Sequence, residues 1–505
     1  MIRFLAKTIF YLALLGGIIY GGLFLFNKYL DQDLSPGAQA WLEPLQENTG
    51  TEDNGWYYVL GMTAQAGQDP FQTGMAMRRA AEQQGVEPPY FPDPSLLGES
   101  PLEFQGELPA GILADGMFNI ALCRAERAAI QELAANNREL LDRFHHLAQY
   151  SSWEIGPMSS QAPGYWSTLR RVALLRLMLL ALELGDPPAD WATEVSGLTE
   201  VRVSRTLDEL EKDLSLWRMA LARGDGESDK LLPLYLGITS LAFLSDLAAE
   251  WPLTPKLSAR ASRLCSPLSQ TERDTSRECR KAFQYRLAGI DARPSYTEVS
   301  QNGSFTDPAV VYYLLRPLYQ HNHTANALYE HFSKKTLLAG DSGANMDALN
   351  QDLEHHMAGF TKWSWRSARN PYGRYMAADI AANSLSQYPK VAMLFDLKAR
   401  LVALQLSMDG APLDAEEVAQ HVASSPAWLR HPVTNSPAQW APGEQALSFL
   451  DANGEIAAKV RVRVKGASLP SHEPPVLDDP APPGGGPGAE VDPAPAHGEL
   501  PAVTQ

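Results

Sequence analysis

The stretch LDELEKDLSLWRMAL, residues 207–221, carries the clearest periodic signal in the chain. Its apolar members Leu207, Leu210, Leu214, Trp217 and Leu221 recur at alternating steps of three and four. On a helix of about 3.6 residues per turn this spacing gathers them into one stripe. Such a seam has to be covered by a neighbour. The reading is therefore a body of packed helices with this face inside.

The flanking segments read the same way. Residues 165–184 are apolar nearly all round, interrupted by Arg170, Arg171 and Arg176, which fits a central core helix rather than a membrane span. Gly185-Asp186-Pro187-Pro188 ends it, because proline cannot continue the hydrogen-bond ladder. Gly224-Asp225-Gly226 closes the Trp217 helix, and residues 230–251 form the next, stopped by Pro252. A long helical segment is expected at 118–150, and further helices at about 266–287, 307–319, 324–336, 346–358 and 376–409. No strict repeat period runs through them, so a regular tetratricopeptide array is not supported. The fold class expected is mainly α: antiparallel helical hairpins, as a bundle or short irregular solenoid, with a small C-terminal β-hairpin. The hairpin is read from Ala446–Leu450 and 456–464 around Asn453-Gly454, a pair that accepts the positive φ angles of a tight turn.

At the N-terminus, residues 8–26 are 19 residues without a charge. At about 1.5 Å per residue they match the hydrocarbon thickness of a bilayer. A cleaved signal peptide has a shorter apolar core and an early small-residue cleavage site. Here the nearest Ala-x-Ala, Ala38 to Ala40, lies well beyond the run, so an uncleaved signal-anchor is expected. Arg3 and Lys7 precede the span, and Asp31 and Asp33 follow Lys28. The positive-inside rule then places the N-terminus in the cytoplasm and the body in the periplasm of a bacterium, at the inner membrane. Ala13, Gly17 and Gly21 form a small-residue stripe that would let two anchors meet as a homodimer.

The organisation expected is a cytoplasmic N-terminus (1–7), an anchor (8–26), a polar stalk (27–50) and a helical body (51–410). A small α+β element with the hairpin (411–467) and a disordered tail rich in Pro and Gly (468–505) complete it. Within the body, residues 51–118 read as a Gly- and Pro-rich wrap over the helices. Net charge is −17; the first 28 residues hold three cations and no acid, so the remainder carries −20. Such a surface repels phosphate backbones, which argues against nucleic acid as a partner.

No convergent catalytic, cofactor-binding or metal-ligating set is written in the chain. Gly340-Asp341-Ser342-Gly343 matches a serine-protease segment, but its surroundings are helical and it reads as a turn. His321, His323 and His331, and Glu354, His355 and His356, lack the i, i+4 spacing that puts two ligands on one helical face. Neighbouring His355 and His356 point about 100° apart, as do His145 and His146. Asn302 to Ser304 and Asn322 to Thr324 match glycosylation sequons; Asn322, Thr324 and Asn326 read better as turn and N-cap groups. Three cysteines, Cys123, Cys265 and Cys279, allow one disulfide in an oxidising compartment, and Cys265–Cys279 is the pair expected from their proximity.

Several segments together resemble a group of uncharacterised proteobacterial envelope proteins with one N-terminal span and a helical body. They are residues 136–144 (NNRELLDRF), 214–218 (LSLWR), 322–326 (NHTAN), 370–374 (NPYGR) leading into the Leu401 to Leu406 helix, and 431–437 (HPVTNSP) with Trp440. The likeness spans most of residues 51–450 and departs from the group at His431, where an acidic residue is usual. It implies architecture and location and carries no activity. Read physically, Asn370-Pro371-Tyr372-Gly373 is turn chemistry. The functional expectation is a non-enzymatic, membrane-anchored envelope scaffold that binds a protein partner. The alternative is a periplasmic hydrolase or cell-wall enzyme with catalytic residues scattered along the chain. A cleft gathering Asp, Glu and His with displaced pKa values would favour the enzyme.

Overall fold

Leu207, Leu210, Leu214, Trp217 and Leu221 are all buried, none more than 2% exposed, on the helix Gly197–Arg223. The structure is a computed structural model describing residues 2–45, 53–83, 94–153, 163–187, 197–224, 227–251, 253–292, 309–340, 346–361, 369–382, 388–408, 413–451 and 454–465. It is mainly helical, with an apolar helix at the N-terminus and a small antiparallel sheet near the C-terminus. The tail 468–505, Asn302 to Ser304 and Asp341 to Gly343 lie outside the described residues.

Two hydrophobic cores organise the chain. The larger surrounds Pro163–Leu184, Gly197–Arg223, Glu227–Glu250 and Tyr388–Leu406. Its most extensive helix pair is Glu227–Glu250 on Tyr388–Leu406. Gly237 lets them close, since a Cβ there would lie 2.6 Å from the Phe395 ring. Gln405 ties the same pair together: its amide accepts from Ser245 Oγ and donates to Ser245 O, both at 2.8 Å. The smaller core joins Phe283, Leu287, Val311, Leu328, Phe360 and Tyr372.

Several sequence expectations are corrected. The segment 118–150 is three helices, Ile120–Ala125, Arg127–Asn136 and Arg138–Leu147. The second break falls at buried Asn137, whose amide donates to Leu133 O and Gln105 O and accepts from Gln105 N, each at 2.8 Å. The ladder is thus interrupted to bind a loop. The expected 266–287 helix divides into Gln270–Arg273, opened by a Ser269/Glu272 capping box, and Ser276–Asp291. The expected 307–319 helix is a π-helical run, Val310–Leu315, and a 3-10 turn, Arg316–Leu318. The expected 376–409 helix is Pro371–Ala382 and Tyr388–Leu406. Pro389 fits only the first turn of a helix, so it opens a new one.

The 51–118 wrap contains real elements. Gly55–Leu60 and Pro70–Gln83 are helices whose backbones touch. A Cβ on Gly61 would collide with the Pro70 carbonyl, and one on Gly74 with the Tyr57 carbonyl. A two-residue hairpin, Leu113–Ala114 with Met117–Phe118, turns at Asp115 and Gly116, both at positive φ (51° and 69°). Near the C-terminus, Ala446–Leu450 and Ile456–Arg461 pair antiparallel, and Gln439–Ala441 adds a third strand beside Ala446–Leu450.

The three cysteines are buried and form no disulfide. Cys265 belongs to the larger core and Cys279 to the smaller, so the expected bridge would have to cross from one to the other. Burial pushes the Cys265 thiol well above its ordinary range.

Candidate functional site

The polar residues that end and follow the N-terminal helix Ile2–Tyr29 are hydrogen-bonded to residues 320–326 and 370. Asn27 is 1% exposed. Its Nδ2 donates to Leu23 O at 2.9 Å, and its Oδ1 accepts from the Asn370 backbone N at 2.6 Å. Its carbonyl accepts from Gln320 Nε2 at 3.1 Å. Asn370 is fully buried at φ +54°. Its Oδ1 takes the N–H groups of Gln320 (3.0 Å) and Gly373 (3.1 Å), and its Nδ2 donates to Thr324 Oγ1 at 2.7 Å. The turn chemistry of residues 370–373 thus serves as a socket for the end of the N-terminal helix.

Four residues further on, the Asp31 carboxylate accepts from the backbone N–H of Asn322 (2.9 Å) and His323 (3.1 Å). These are orphan donors at the start of the helix His321–Gly340, and an anion there also favours the helix dipole. The expected roles are therefore reversed. Asn322, Thr324 and Asn326 do not cap their own helix, because it already begins at His321 and takes its cap from Asp31. Asn322 Nδ2 instead donates to Gln32 O at 2.8 Å, and Asn326 Nδ2 to Asp33 O at 2.9 Å. Asn326 Oδ1 accepts from Ser35 N at 2.8 Å. Beyond Ser35, Trp41 packs edge-on against Phe283 and Tyr329, and its carbonyl accepts from Gln284 at 2.6 Å.

Beside this clamp opens a cleft of about 330 Å³, lined in part by Gln32, His323, Glu330, His356, Phe360 and Arg374. It gathers two of the histidines that the sequence singled out, His323 and His356. His323 stacks on Phe360 with ring centroids 5.5 Å apart, and its Nδ1 accepts from Asn370 Nδ2 at 3.3 Å. Burial, then Arg369 and Arg374, pull its pKa down to about 4, so the ring is neutral at physiological pH. His356 bridges Glu330 (3.2 Å) and the Ala327 carbonyl (3.2 Å). Glu330 also pairs with Lys334 at 3.3 Å. The Arg374 guanidinium lies 4.9 Å over the Phe360 ring and donates to Phe360 O.

The other singled-out residues lie apart. His321 bonds Asp291 at 2.9 Å, and that bond raises its pKa. His355 and Glu354 are exposed, and His145 and His146 sit on the distant helix Arg138–Leu147. No group of three His, Cys, Asp or Glu side chains is set to hold a metal among the described residues. Among the described residues that line the cleft there is no Ser, Thr or Cys; its ionisable side chains are His323, Glu330, His356 and Arg374. Lys398, which burial pulls down to about 7, lies outside the cleft and donates to Gly116 O (2.9 Å) and Lys459 O (2.5 Å). It closes the sheet onto the helices rather than facing a ligand. The sequence reading missed Asn27, Asp31, Gln320 and Asn370 as partners. The available signal was polar side chains immediately after an apolar span.

Comparison with protein-family models, with curated proteins and with solved structures returned no match.

His331 gives this half of the protein an acid-sensitive element. It is 1% exposed, packed edge-on to Phe332, and burial first, then Lys335 and His356, pull its pKa down to about 4. The unfolded chain binds that proton near 6.5, so between about pH 6.5 and pH 4 the unfolded state holds more protons. Stability is complete above that window and falls through it, by about 3 kcal/mol for this group. Melting temperatures measured from about pH 7 to about pH 4 should decline accordingly. His331 Nδ1 makes no hydrogen bond, so His331→Leu should keep the fold and flatten the decline. An unchanged slope would assign the acid sensitivity to other groups.

Proposed function

We propose that the chain is a single-pass envelope protein whose helical body is clamped rigidly to its own membrane anchor and presents a non-catalytic surface to a protein partner. The observation that carries this reading is Asn27: one residue past the uncharged run, it is buried and bonded through side chain and backbone to Asn370 and Gln320. The N-terminal helix therefore continues into the body without a flexible joint. This favours an anchor over a cleaved signal, as does Ala38, fully buried within the Pro36–Leu42 helix, in the nearest Ala-x-Ala. Charge bias around the span supports a body in the periplasm of a bacterium, in keeping with the resemblance to proteobacterial envelope proteins. Within the body, the helices are read as antiparallel hairpins in an irregular bundle, supported by the packing of Glu227–Glu250 against both Gly197–Arg223 and Tyr388–Leu406. The competing hydrolase reading is favoured by one feature, the cleft with His323, Glu330 and His356.

Alkaline phosphatase fused after residue 467 should be active in a bacterial host, and a cytoplasmic reporter at that site silent; the reverse would sink the topology. A photoreactive residue placed at Leu337 or Trp428, 64% and 57% exposed, should give a discrete adduct with a second protein in native membranes. No adduct at either site, together with a null phenotype for Glu330→Gln, would favour the enzyme.

A further inference from the structure

The run VVYYLLRPL, residues 310–318, holds a single charge, and several of its large side chains are exposed. Val311 and Leu318 are buried in the smaller core. Tyr313 is 65% exposed, Leu314 49% and Val310 37%, three large apolar groups side by side. Scattered apolar residues on a surface are ordinary, but a contiguous group marks a contact surface.

Its position relative to the N-terminal helix says what the contact is. Tyr20 Oη donates to Leu314 O at 3.2 Å, and Gln320 Nε2 donates to Asn27 O at 3.1 Å. Residues 314–320 therefore run alongside the helix from the level of Tyr20 to that of Asn27. Tyr20 lies six residues before Phe26, the end of the uncharged run, which is about 9 Å along the axis. With the anchor in a bilayer, Tyr313 and Leu314 stand at a depth where hydrocarbon replaces water. The polar groups sort correctly along the same line. Arg316, 4.7 Å over the Tyr312 ring, follows the apolar run, and the bonds among Gln320, Asn27 and Asn370 come after it, toward the aqueous side. The Tyr20 hydroxyl, which at that depth requires a partner, has one in the Leu314 carbonyl, so two polar groups satisfy each other away from water.

We infer that Val310–Leu318 dips into the outer leaflet beside the anchor, with Val310, Tyr313 and Leu314 against lipid, as a second membrane attachment. The body then sits on the bilayer rather than being held away from it. This rests on the anchor reading above, and the following test separates the two.

The full chain is reconstituted in phosphatidylcholine vesicles after Tyr313→Cys, Leu15→Cys or Leu337→Cys, each labelled with an environment-sensitive fluorophore; the native cysteines are buried. Leu15, 54% exposed within the span, reports the anchor, and Leu337, 64% exposed, reports water. Quenching by nitroxide lipids is compared with quenching by aqueous iodide. The label at 313 should be blue-shifted and quenched several-fold more by a headgroup-proximal nitroxide than by iodide, and the label at 337 by iodide only. A label at 313 open to iodide, with the label at 15 shielded, overturns the inference and leaves the anchor standing. A label at 15 open to iodide overturns the anchor reading itself. A label at 313 shielded from both quenchers means that protein, such as a second copy of the chain, covers the surface, and the lipid assignment fails.

Discussion

Trp217→Ala is expected to cost the detergent-solubilised full chain about 3 to 5 kcal/mol. The indole is 2% exposed and tilts against Phe144 with centroids 6.0 Å apart. It joins the helix Gly197–Arg223 to the helix Arg138–Leu147. Leu207, Leu210, Leu214 and Leu221 surround the same seam with almost no exposure, so the neighbourhood has no easy way to collapse into the void. Against a typical total of about 5 to 15 kcal/mol, this loss should lower the denaturant midpoint sharply, while Trp217→Phe should lose much less. The periodic pattern was equally compatible with an exposed partner groove. Unchanged stability in Trp217→Ala, accompanied by loss of a partner, would mean that the seam opens in solution.

What was legible in the sequence was whatever depends on near neighbours. The helices Pro163–Leu184, Gly197–Arg223 and Glu227–Glu250 follow from apolar periodicity and from Gly and Pro punctuation, and they lie within a few residues of their expected bounds outside the extended start of Gly197–Arg223. The C-terminal hairpin follows from a Gly at φ +81°, Gly454. Breaks forced by tertiary contacts were not legible. The divided 266–291 region is one: Lys230 Nζ reaches across to donate to Glu272 O (3.1 Å) and Asp274 O (2.5 Å). Arg273 pairs with the buried Asp396, which also accepts from Leu268 N at 2.8 Å. The site followed the same rule. Asn27 and Asn370 are 343 positions apart and Asp31 and Asn322 are 291 apart. No local pattern announces such a pairing. His323 and His356 were visible as residue types, but their shared cleft depends on how the helices His321–Gly340 and Met346–Thr361 pack.

The segments 136–144, 214–218, 322–326 and 370–374 acquire a physical meaning from these contacts. Asn137 and Arg143 fasten loops, Trp217 fills the core, Arg218 donates to Ser266 O at 2.7 Å, and residues 322–326 and 370–374 build the clamp. They are junctions of the architecture.

Arg143→Ala tests that view where one side chain holds most. Arg143 is 4% exposed. Its guanidinium donates to four carbonyls of a single loop: Met62 O (2.9 Å), Ala64 O (2.7 Å), Gln65 O (3.2 Å) and Gln68 O (3.3 Å). Its Nε donates to Glu139 at 3.1 Å. That loop joins Gly55–Leu60 to Pro70–Gln83, the two helices whose backbones touch at Gly61 and Gly74. A loop pressed against the body leaves carbonyls that no helix satisfies, and each buried acceptor left unpaired costs about 1 to 3 kcal/mol. Part of that is recovered because an opened loop can take up water, so the net loss expected is about 3 to 5 kcal/mol, comparable to breaking a buried ion pair. Arg143→Lys should recover only part of it. A lysine keeps the charge but presents a compact ammonium in place of the planar fork that reaches four oxygens at once. The loss should also be local. Hydrogen exchange should speed up across residues 55–83 while the helix Tyr388–Leu406 keeps its protection. Uniformly faster exchange would show that the loop and the large core unfold as one unit, and full rescue by lysine would show that charge, rather than the geometry of the fork, holds the loop down.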